Sequence, residues 1–385
     1  EHKWQETKGA LMEGVEGSKA KTLDVVLENT RKYLSEQATS GATSAGNVAT
    51  LNRVILPVIR RVMPTVIANE LVGVQPMTGP VGQIHTLRVR YADTTTGGAT
   101  NIVAGDEALS PFKIASSYSG NDSSPAKGAA TATLEGAAGK RLNVQILKQV
   151  VEAKSRKLSA RWTFEAAQDA QAQQGVDIEA EIMAALAQEI TAEIDQEILT
   201  SLRALAGSAA AAFDQSAVSG TATFVGDEHA ALAVLINQQA NLIAQRTRRG
   251  AGNYAVVSSE ALTVLQSATT SAFARSTEGV FEAPTNTKFV GTLNNSMRVY
   301  VDGYAATGTD VLVGYKGPSE ADAPAFYCPY IPLMSSGVVL DPSTFEPVVS
   351  FLTRYGYVEL SNTASSLGNA ADYLARISMS NISFK

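Results

Sequence analysis

The stretch DIEAEIMAALAQEITAEIDQEILTSLRALAG at residues 177–207 carries the most regular pattern in the sequence. Isoleucine or leucine recurs at every fourth position from Ile178 to Leu202. Asp177 suits the N-cap of a helix, and Gly207 suits the residue after its end. The pattern therefore predicts one helix about 45 Å long at 1.5 Å per residue. Because four-residue spacing drifts around a helix, the apolar stripe must contact more than one neighbouring element.

After this helix, the sequence predicts a second helix and then short strands. The second helix begins near Asp227 and ends in the basic residues Arg246, Arg248 and Arg249, which suit the negative end of the helix dipole. Strand patterns bounded by Gly and Pro follow at 254–257, 297–301, 311–315 and 347–360, with a short helix after the first of them. The sum predicts an α+β fold.

Two alternating stretches precede the long helix. In residues 83–91, Leu87, Val89 and Tyr91 share one face and Arg88 and Arg90 the other, which predicts a half-buried strand. Residues 157–164 alternate in the same way. Between them, 92–141 is rich in Thr, Gly, Ala and Ser, and a loop of this length is usually functional or ordered by a partner. We therefore expect 83–91 and 157–164 to form an extended two-stranded arm.

The N-terminal region predicts a helix followed by a linker. Residues 1–36 contain a narrow apolar stripe at helical spacing, and the Gly, Ser, Thr and Ala of 37–50 cannot bury enough apolar surface to fold alone. A protease needs an exposed, extended chain, which this junction supplies. The candidate cleavage residues at the junction are Leu34, Ser35, Glu36 and Gln37.

Composition restricts the possible partners. Charged residues make up 18% of the 385 residues, below the roughly 25% of ordinary soluble domains. Interface cores are depleted of charge, so this composition fits a subunit of an assembly as well as an Ala- and Gly-rich monomer. The net charge of −6 argues against tight, sequence-independent nucleic-acid binding. Since no segment approaches roughly 18 consecutive apolar residues, no membrane span is expected.

Few residues suit catalysis or metal binding. His2, His85 and His229 are far apart and lack ligand spacing, and Cys328 is the only cysteine. Structural roles are therefore predicted for all four. The GAAGKR segment at 136–141 has glycines too close together for a phosphate loop. The sequence predicts no catalytic, cofactor or metal site, and an intracellular hydrolase that uses Cys328 or a histidine stays the alternative.

Charged residues supply candidates for contacts between subunits. The glutamates of the long helix lack histidine partners for a metal site, so they are interpreted as a solvated or intersubunit face. They are Glu179, Glu181, Glu189, Glu193 and Glu197. The candidate intersubunit cations are Arg60, Arg61, Arg88, Arg90, Arg246, Arg248, Arg249 and Lys316.

Collinear blocks over nearly the whole chain carry a family resemblance. They are LPVIRRVMPTVIANELVGVQPMTGPVGQIHTLRVRYAD (56–93), QVVEAKSRKLSARWTFEAAQD (149–169), QRTRRGAGNY (245–254), MRVYVDGYA (297–305), VLVGYKGPSEADA (311–323), FYCPYIPL (326–333) and DPSTFEPVVSFLTRYGYVEL (341–360). Together they resemble the major capsid proteins of T-even-type tailed phages, especially those of myophages of marine cyanobacteria.

The resemblance implies a Hong Kong 97-like capsid fold with a defined order of segments. These are a propeptide-like helix at 1–36, an N-terminal arm at 37–80, an extended loop with a reduced insertion at 81–164, a peripheral domain at 165–226 with a spine helix at 177–206, an axial domain at 227–340, and a return to the peripheral domain at 341–385.

The resemblance also implies a function without catalysis. Copies of the chain would form hexameric capsomers of an icosahedral or prolate head around double-stranded DNA, assembled in the host cytoplasm and then part of the virion. A prohead protease would cut after Glu36. Further implied partners are a scaffold, a vertex capsid protein, a portal and decoration proteins. The alternatives are the pentameric vertex paralogue and, with the same fold, a bacterial encapsulin.

Overall fold

The computed structural model describes residues 68–95, 101–108, 118–120, 128–136, 138–175, 177–218, 225–268, 273–275, 288–305, 311–319, 322–360 and 370–382. All of them belong to one compact unit, Ile59–Lys385. The predicted cleavage residues Leu34–Gln37, together with Arg60 and Arg61, lie outside the described residues.

The described residues form helices and strands in a mixed order. The helices are α1 (Ala68–Leu71), α2 (Thr131–Leu134), α3 (Phe164–Gln174), α4 (Ile178–Ala206), α5 (Val225–Thr247) and α6 (Ser259–Ser267), with 3-10 turns at Gln215–Ala217 and Ala370–Tyr373. The strands are β1 (Gly73–Val74), β2 (Val81–Tyr91), β3 (Leu142–Glu152), β4 (Lys154–Arg161), β5 (Ala211–Asp214), β6 (Tyr254–Ser258), β7 (Phe273–Arg275), β8 (Lys288–Leu293), β9 (Met297–Asp302), β10 (Val311–Gly314), β11 (Ala325–Ser335), β12 (Val339–Leu340), β13 (Pro347–Glu359) and β14 (Leu374–Ser380).

The long helix α4 confirms the pattern from which it was predicted. The Asp177 side chain accepts a hydrogen bond from the backbone N–H of Glu179 at 3.1 Å, which satisfies one of the free donors of the first turn. Gly207 follows the last turn with φ of 69°, a conformation that favours glycine. Its buried residues include Ile190, Ile194, Ile198, Leu199 and Leu202. This stripe packs into the main core together with both large sheets.

A seven-stranded sheet forms one side of the core. Its strand order is β5-β14-β10-β6-β9-β8-β7, with parallel pairing at β5–β14 and β6–β9 and antiparallel pairing elsewhere. Helices α4 and α5 contact this sheet, and α6 packs on both α5 and β6. Strand β6 lies near its centre, which explains why all five of its residues are buried. The predicted strands at 254–257, 297–301 and 311–315 and the helices after Asp227 and Ser258 are confirmed.

A five-stranded sheet lies around the long strand β13. Strand β13 pairs antiparallel with β11 and β12 on one edge and with β4 on the other, and β1 adds to β11 in parallel. The strand predicted at 347–360 is therefore confirmed. Strand β4 continues directly from β3 across Ala153, so the sheet and the extended arm share one continuous stretch of chain.

Two strands pair with strands from other predicted segments of the chain. Strand β11 lies within the predicted axial segment 227–340 but pairs with β13, as Ala325 opposite Glu359. Strand β14 lies within 341–385 but pairs with β10 in the seven-stranded sheet. Both strands pair with residues that are distant in sequence. Such pairing cannot be predicted from local sequence patterns.

The arm is a two-stranded ribbon, but its second strand was predicted wrongly. Strand β2 pairs antiparallel with β3 over eleven residue pairs, from Val81 opposite Glu152 to Tyr91 opposite Leu142. The stretch at 157–164 was expected in this role, but it contributes β4 to the five-stranded sheet and the start of α3. The alternation LNVQILKQVV (142–151) was the signal that sequence reasoning missed.

Candidate assembly surfaces

The ribbon turns an apolar face outward. Residues directly opposite each other on paired antiparallel strands point to the same side. Leu87 lies opposite Ile146, and Val89 lies opposite Val144. Leu87 and Ile146 are each 66% exposed in the chain. The apolar ribbon face is defined here by the exposed residues Val81, Leu87, Leu142, Val144, Ile146 and Val150.

This arrangement corrects the predicted burial of β2. The strand was expected to be half-buried, with Arg88 available for contacts between subunits, but Leu87 is exposed and Arg88 is only 4% exposed. Arg88 donates a hydrogen bond to the Glu107 carboxylate at 3.3 Å within the same chain. Burial raises the pKa of Glu107, although Arg88 and Arg90 oppose that rise. The apolar alternation was correctly recognised, but only part of it is covered by the chain itself: Leu87 is exposed, whereas Tyr91 packs in a buried cluster at the far end of the ribbon.

The opposite side of the ribbon is anchored to the five-stranded sheet near its base. Val151 packs with Phe326 and Cys328 in a small buried cluster. The Gln149 side-chain amide donates a hydrogen bond to the Glu359 carbonyl oxygen at 2.9 Å. Gly356 lies so close that an added Cβ would stand 2.4 Å from a methyl group of Val151. The anchorage fixes which face of the ribbon points outward.

The far end of the ribbon carries a core of its own. Tyr91, Ile102, Ala108 and Tyr118 form a separate buried cluster. The rings of Tyr91 and Tyr118 lie 4.6 Å apart, and the Lys140 ammonium stands 5.7 Å from the centre of the Tyr118 ring. Part of the predicted loop 92–141 therefore packs around aromatic rings at the end of the ribbon, through Ile102, Ala108 and Tyr118.

An ion-pair network connects the ribbon's continuation β4 to the spine helix α4. Arg156 contacts Glu193 at 2.6 Å and Glu197 at 2.5 Å, and it donates a hydrogen bond to the Tyr355 hydroxyl at 2.6 Å. The Tyr355 hydroxyl in turn donates to Glu197. Burial alone would raise the pKa of Glu197, but the hydrogen bonds from Arg156 and Tyr355 outweigh it and lower that pKa.

This network corrects part of the interpretation of the helix glutamates. Glu193 and Glu197 were read as members of a solvated or intersubunit face, but they pair with Arg156 of the same chain. The physical reason is that β4 and β13 pass beside the helix, a neighbourhood that the helix sequence alone does not reveal. A second ion pair lies further along α4, where Arg203 contacts the buried Asp302 of β9 at 2.8 Å.

A cleft beside the start of α4 forms a second unusual surface. It has a volume of about 370 Å³ and is lined by residues that include Trp162, Phe164, Asp177, Glu179, Val338 and Leu340. We call it the spine-helix cleft. The Phe345 ring lies 5.6 Å from the Phe164 ring and is 70% exposed. Phe345 also has φ of 58°, an uncommon backbone conformation for a bulky residue.

The other candidate cations lie near the end of α5. Arg246 is half-buried, Arg248 is exposed with φ of 55°, and Arg249 forms an ion pair with Asp322 of the same chain. Lys316 is half-buried, and its backbone N–H donates to the Asn253 side chain at 3.0 Å. The structure brings Arg249 and Lys316 into one region, and the intersubunit role of these cations, and of Arg88 and Arg90, stays a prediction.

His85, His229 and Cys328 are the side chains considered for catalysis or metal binding. His229 is buried and its ring Nδ1 lies 2.5 Å from the Ser267 hydroxyl, while His85 is exposed on the ribbon. Cys328 is buried, which raises the pKa of its thiol. Among the described residues, no group of His, Cys, Asp or Glu is arranged to hold a metal ion. Within the same ranges, no helix is both long and apolar enough to cross a bilayer.

Comparison with known proteins identifies the family. Residues 48–379 match the family model described as major capsid protein Gp23. The chain belongs to the Gp23 major capsid protein family. The major capsid protein of Vibrio phage KVP40 is 30% identical over 94% of this chain and 87% of the relative, and that of Enterobacteria phage T6 is 31% identical over 84% and 81%. The resemblance seen in the sequence is confirmed, and the chain is a capsid-forming protein of a T4-like phage, located in the virion capsid.

Solved structures agree on the fold. A chain from Mycobacterium phage Cain has a TM-score of 0.51 at 12% identity, covering 89% of this chain and 100% of that one. A chain from Mycobacterium phage Adephagia has a TM-score of 0.50 at 13% identity, covering 89% and 99%. Together with the α+β architecture, this confirms the Hong Kong 97-like capsid fold for this Gp23 family member.

Proposed function

We propose that the protein forms hexameric capsomers of an icosahedral or prolate head that encloses double-stranded DNA. The observation that carries the proposal is the apolar ribbon face. Its residues are exposed in the single chain, and contiguous exposed apolar patches mark sites of association. In a protein that builds a shell, a neighbouring copy is the partner present at the highest effective concentration.

The same proposal assigns roles to the remaining predicted features. The ribbon and the N-terminal arm lie across neighbouring copies, and the candidate cations add ion pairs at those contacts, except Arg88 and Arg249, which pair with carboxylates of their own chain. A prohead protease cuts after Glu36, with Leu34, Ser35 and Gln37 completing its recognition sequence. Vertex protein, portal, scaffold and decoration proteins are the further partners. The net charge of −6 suits a wall that encloses DNA without gripping it, and the chain carries out no catalysis.

Electron microscopy of the purified protein tests the proposal. We expect shells, tubes or sheets in which the capsomers have six-fold symmetry. Particles containing pentamers alone would support the vertex paralogue instead, and monomers under every assembly condition would refute self-assembly. The intact mass of the chain from virions tests the processing step, because cleavage after Glu36 leaves a chain that begins at Gln37.

A further inference from the structure

We infer that the apolar ribbon face makes an acid-sensitive contact, in which protonation of His85 beside Lys148 releases a neighbouring copy. This inference rests on the proposed function, because it adds a form of regulation to the contact between the ribbon face and a second copy. Two features of the ribbon support it. They are the pairing of these two side chains and the apolar rows on either side of them.

His85 and Lys148 form one cross-strand row of the ribbon. They lie directly opposite each other on β2 and β3, and both side chains are exposed in the single chain. Directly opposed residues of an antiparallel pair point to the same side, with Cβ atoms about 5 Å apart. A neutral imidazole can accept a hydrogen bond from an ammonium group, whereas a protonated imidazole has no acceptor left. The row therefore changes from a polar pair to a pair of like charges when His85 gains a proton.

Apolar side chains flank this row on both sides. Leu87 and Ile146 form the next row toward the far end of the ribbon, and Val150 lies in the next row toward its base. All three are exposed. Rows on one face of a strand are about 7 Å apart, since each residue advances about 3.4 Å. A neighbouring copy that covers the apolar rows therefore also covers the row between them and removes its charges from water.

The charged groups around His85 favour its neutral form in such a contact. On this face of the two strands, Lys148 is directly opposite, and Glu152 lies two rows toward the base, about 14 Å away along the strand. Arg88 and Arg90 alternate to the opposite face. A neighbouring surface that pairs Lys148 with one carboxylate still meets an unpaired charge when His85 is protonated. Burying an unpaired charge is costly, so the contact excludes the proton.

The sign of the pH effect follows from the state that holds the extra proton. Because the free chain accepts a proton on His85 more readily than the covered chain does, assembly releases protons and weakens as the pH falls. Histidine ordinarily changes charge between about pH 5 and pH 8. One proton per copy changes the equilibrium by at most about tenfold per pH unit. We therefore expect the lowest concentration at which shells form to rise about tenfold from about pH 7.5 to about pH 5.5.

Sedimentation of shells over a dilution series at these two pH values tests the inference. His85→Gln keeps a polar side chain that stays neutral, so its threshold concentration should change by less than about twofold between the two pH values. The matched control is His2→Gln, which removes another of the three histidines and should keep the wild-type rise. Lys148→Met removes the opposing charge and should reduce the rise to about threefold.

The outcomes separate this inference from the proposed function. Wild-type shells whose threshold is unchanged or lower at acid pH would overturn the acid-sensitive contact and leave self-assembly intact. The same rise in His85→Gln as in the wild type would also overturn it, because another group would then carry the pH dependence. A full wild-type rise in Lys148→Met would contradict the role of the opposing charge. A wild-type protein that never assembles at neutral pH would overturn the proposed function itself.

Discussion

The apolar ribbon face should set the concentration at which the protein assembles, and truncating it should raise that threshold. Leu87→Ala and Ile146→Ala each remove three carbons from a side chain that is 66% exposed in the single chain. Burying one carbon contributes about 0.8 kcal/mol, so burying three contributes roughly 2.4 kcal/mol. Because each side chain is about two-thirds exposed, a neighbour can gain about two-thirds of that free energy at each site. The double variant therefore loses about 3 kcal/mol per ribbon contact.

This loss converts directly into a measurable threshold. Each copy contributes its ribbon once in a regular shell, so the free energy per copy changes by the same amount. At 1.4 kcal/mol per factor of ten, the threshold concentration should rise on the order of a hundredfold. Sedimentation of assembled from unassembled protein over a dilution series measures it. Val234→Ala serves as the control for losing an exposed apolar side chain elsewhere in the chain.

Two further measurements test whether a change in the threshold comes from the ribbon contact and not from a loss of folding stability. Thermal unfolding of the unassembled double variant should change by less than about 0.5 kcal/mol, since the side chains are exposed in the single chain. Leu87→Thr with Ile146→Thr keeps a good strand former at both positions and should shift the threshold in the same direction. A threshold within about twofold of the wild-type value would refute the reasoning, because the ribbon face would then stay exposed in the shell.

The remaining predictions concern the anchorage of the ribbon and the spine helix. Glu197→Gln should flatten the fall of the melting temperature between about pH 5 and pH 3, because a carboxylate with a lowered pKa stabilises the fold above its unfolded pKa of about 4.3 and loses that contribution as it is protonated. Gly356→Ala should force Val151 aside, destabilise the fold by about 1–3 kcal/mol and speed limited proteolysis of the ribbon. Cys328 should react with a thiol reagent far more slowly in the native than in the unfolded protein, because it is buried with a raised pKa.

Elements with strong local periodicity were predictable from the sequence. The spine helix was predicted because its isoleucine stripe, N-cap Asp177 and terminal Gly207 all indicate the same helix. The strands at 254–257 and 347–360 were predicted because apolar runs between Gly and Pro breakers leave few alternatives. In each case, propensity, periodicity and capping agree within one short stretch of chain.

Pairing between distant stretches was not predictable in the same way. Residues 157–164 alternate as 142–151 do, so alternation alone did not show which stretch pairs with β2. Arg156 likewise shows no sign in the sequence of its contacts with Glu193 and Glu197, which lie more than thirty residues away. The pairing of β2 and the contacts of Arg156 depend on which surfaces meet when the chain folds. Local sequence patterns do not predict those surfaces.

The misplaced burial of β2 has a different cause, and it bears on function. Alternation in a strand predicts that one of its faces is buried. It does not predict whether the surface that buries this face belongs to the same chain or to another. Here Leu87 is exposed and Arg88 is buried, so the chain pairs Arg88 with Glu107 and leaves Leu87 and Ile146 uncovered, although it covers Tyr91 on the same side. In the proposed assembly, a neighbouring copy would cover Leu87 and Ile146 while the Arg88–Glu107 pair stays intact. The low share of charged residues fits the same proposal, because a subunit enclosed by its neighbours needs fewer solvated groups.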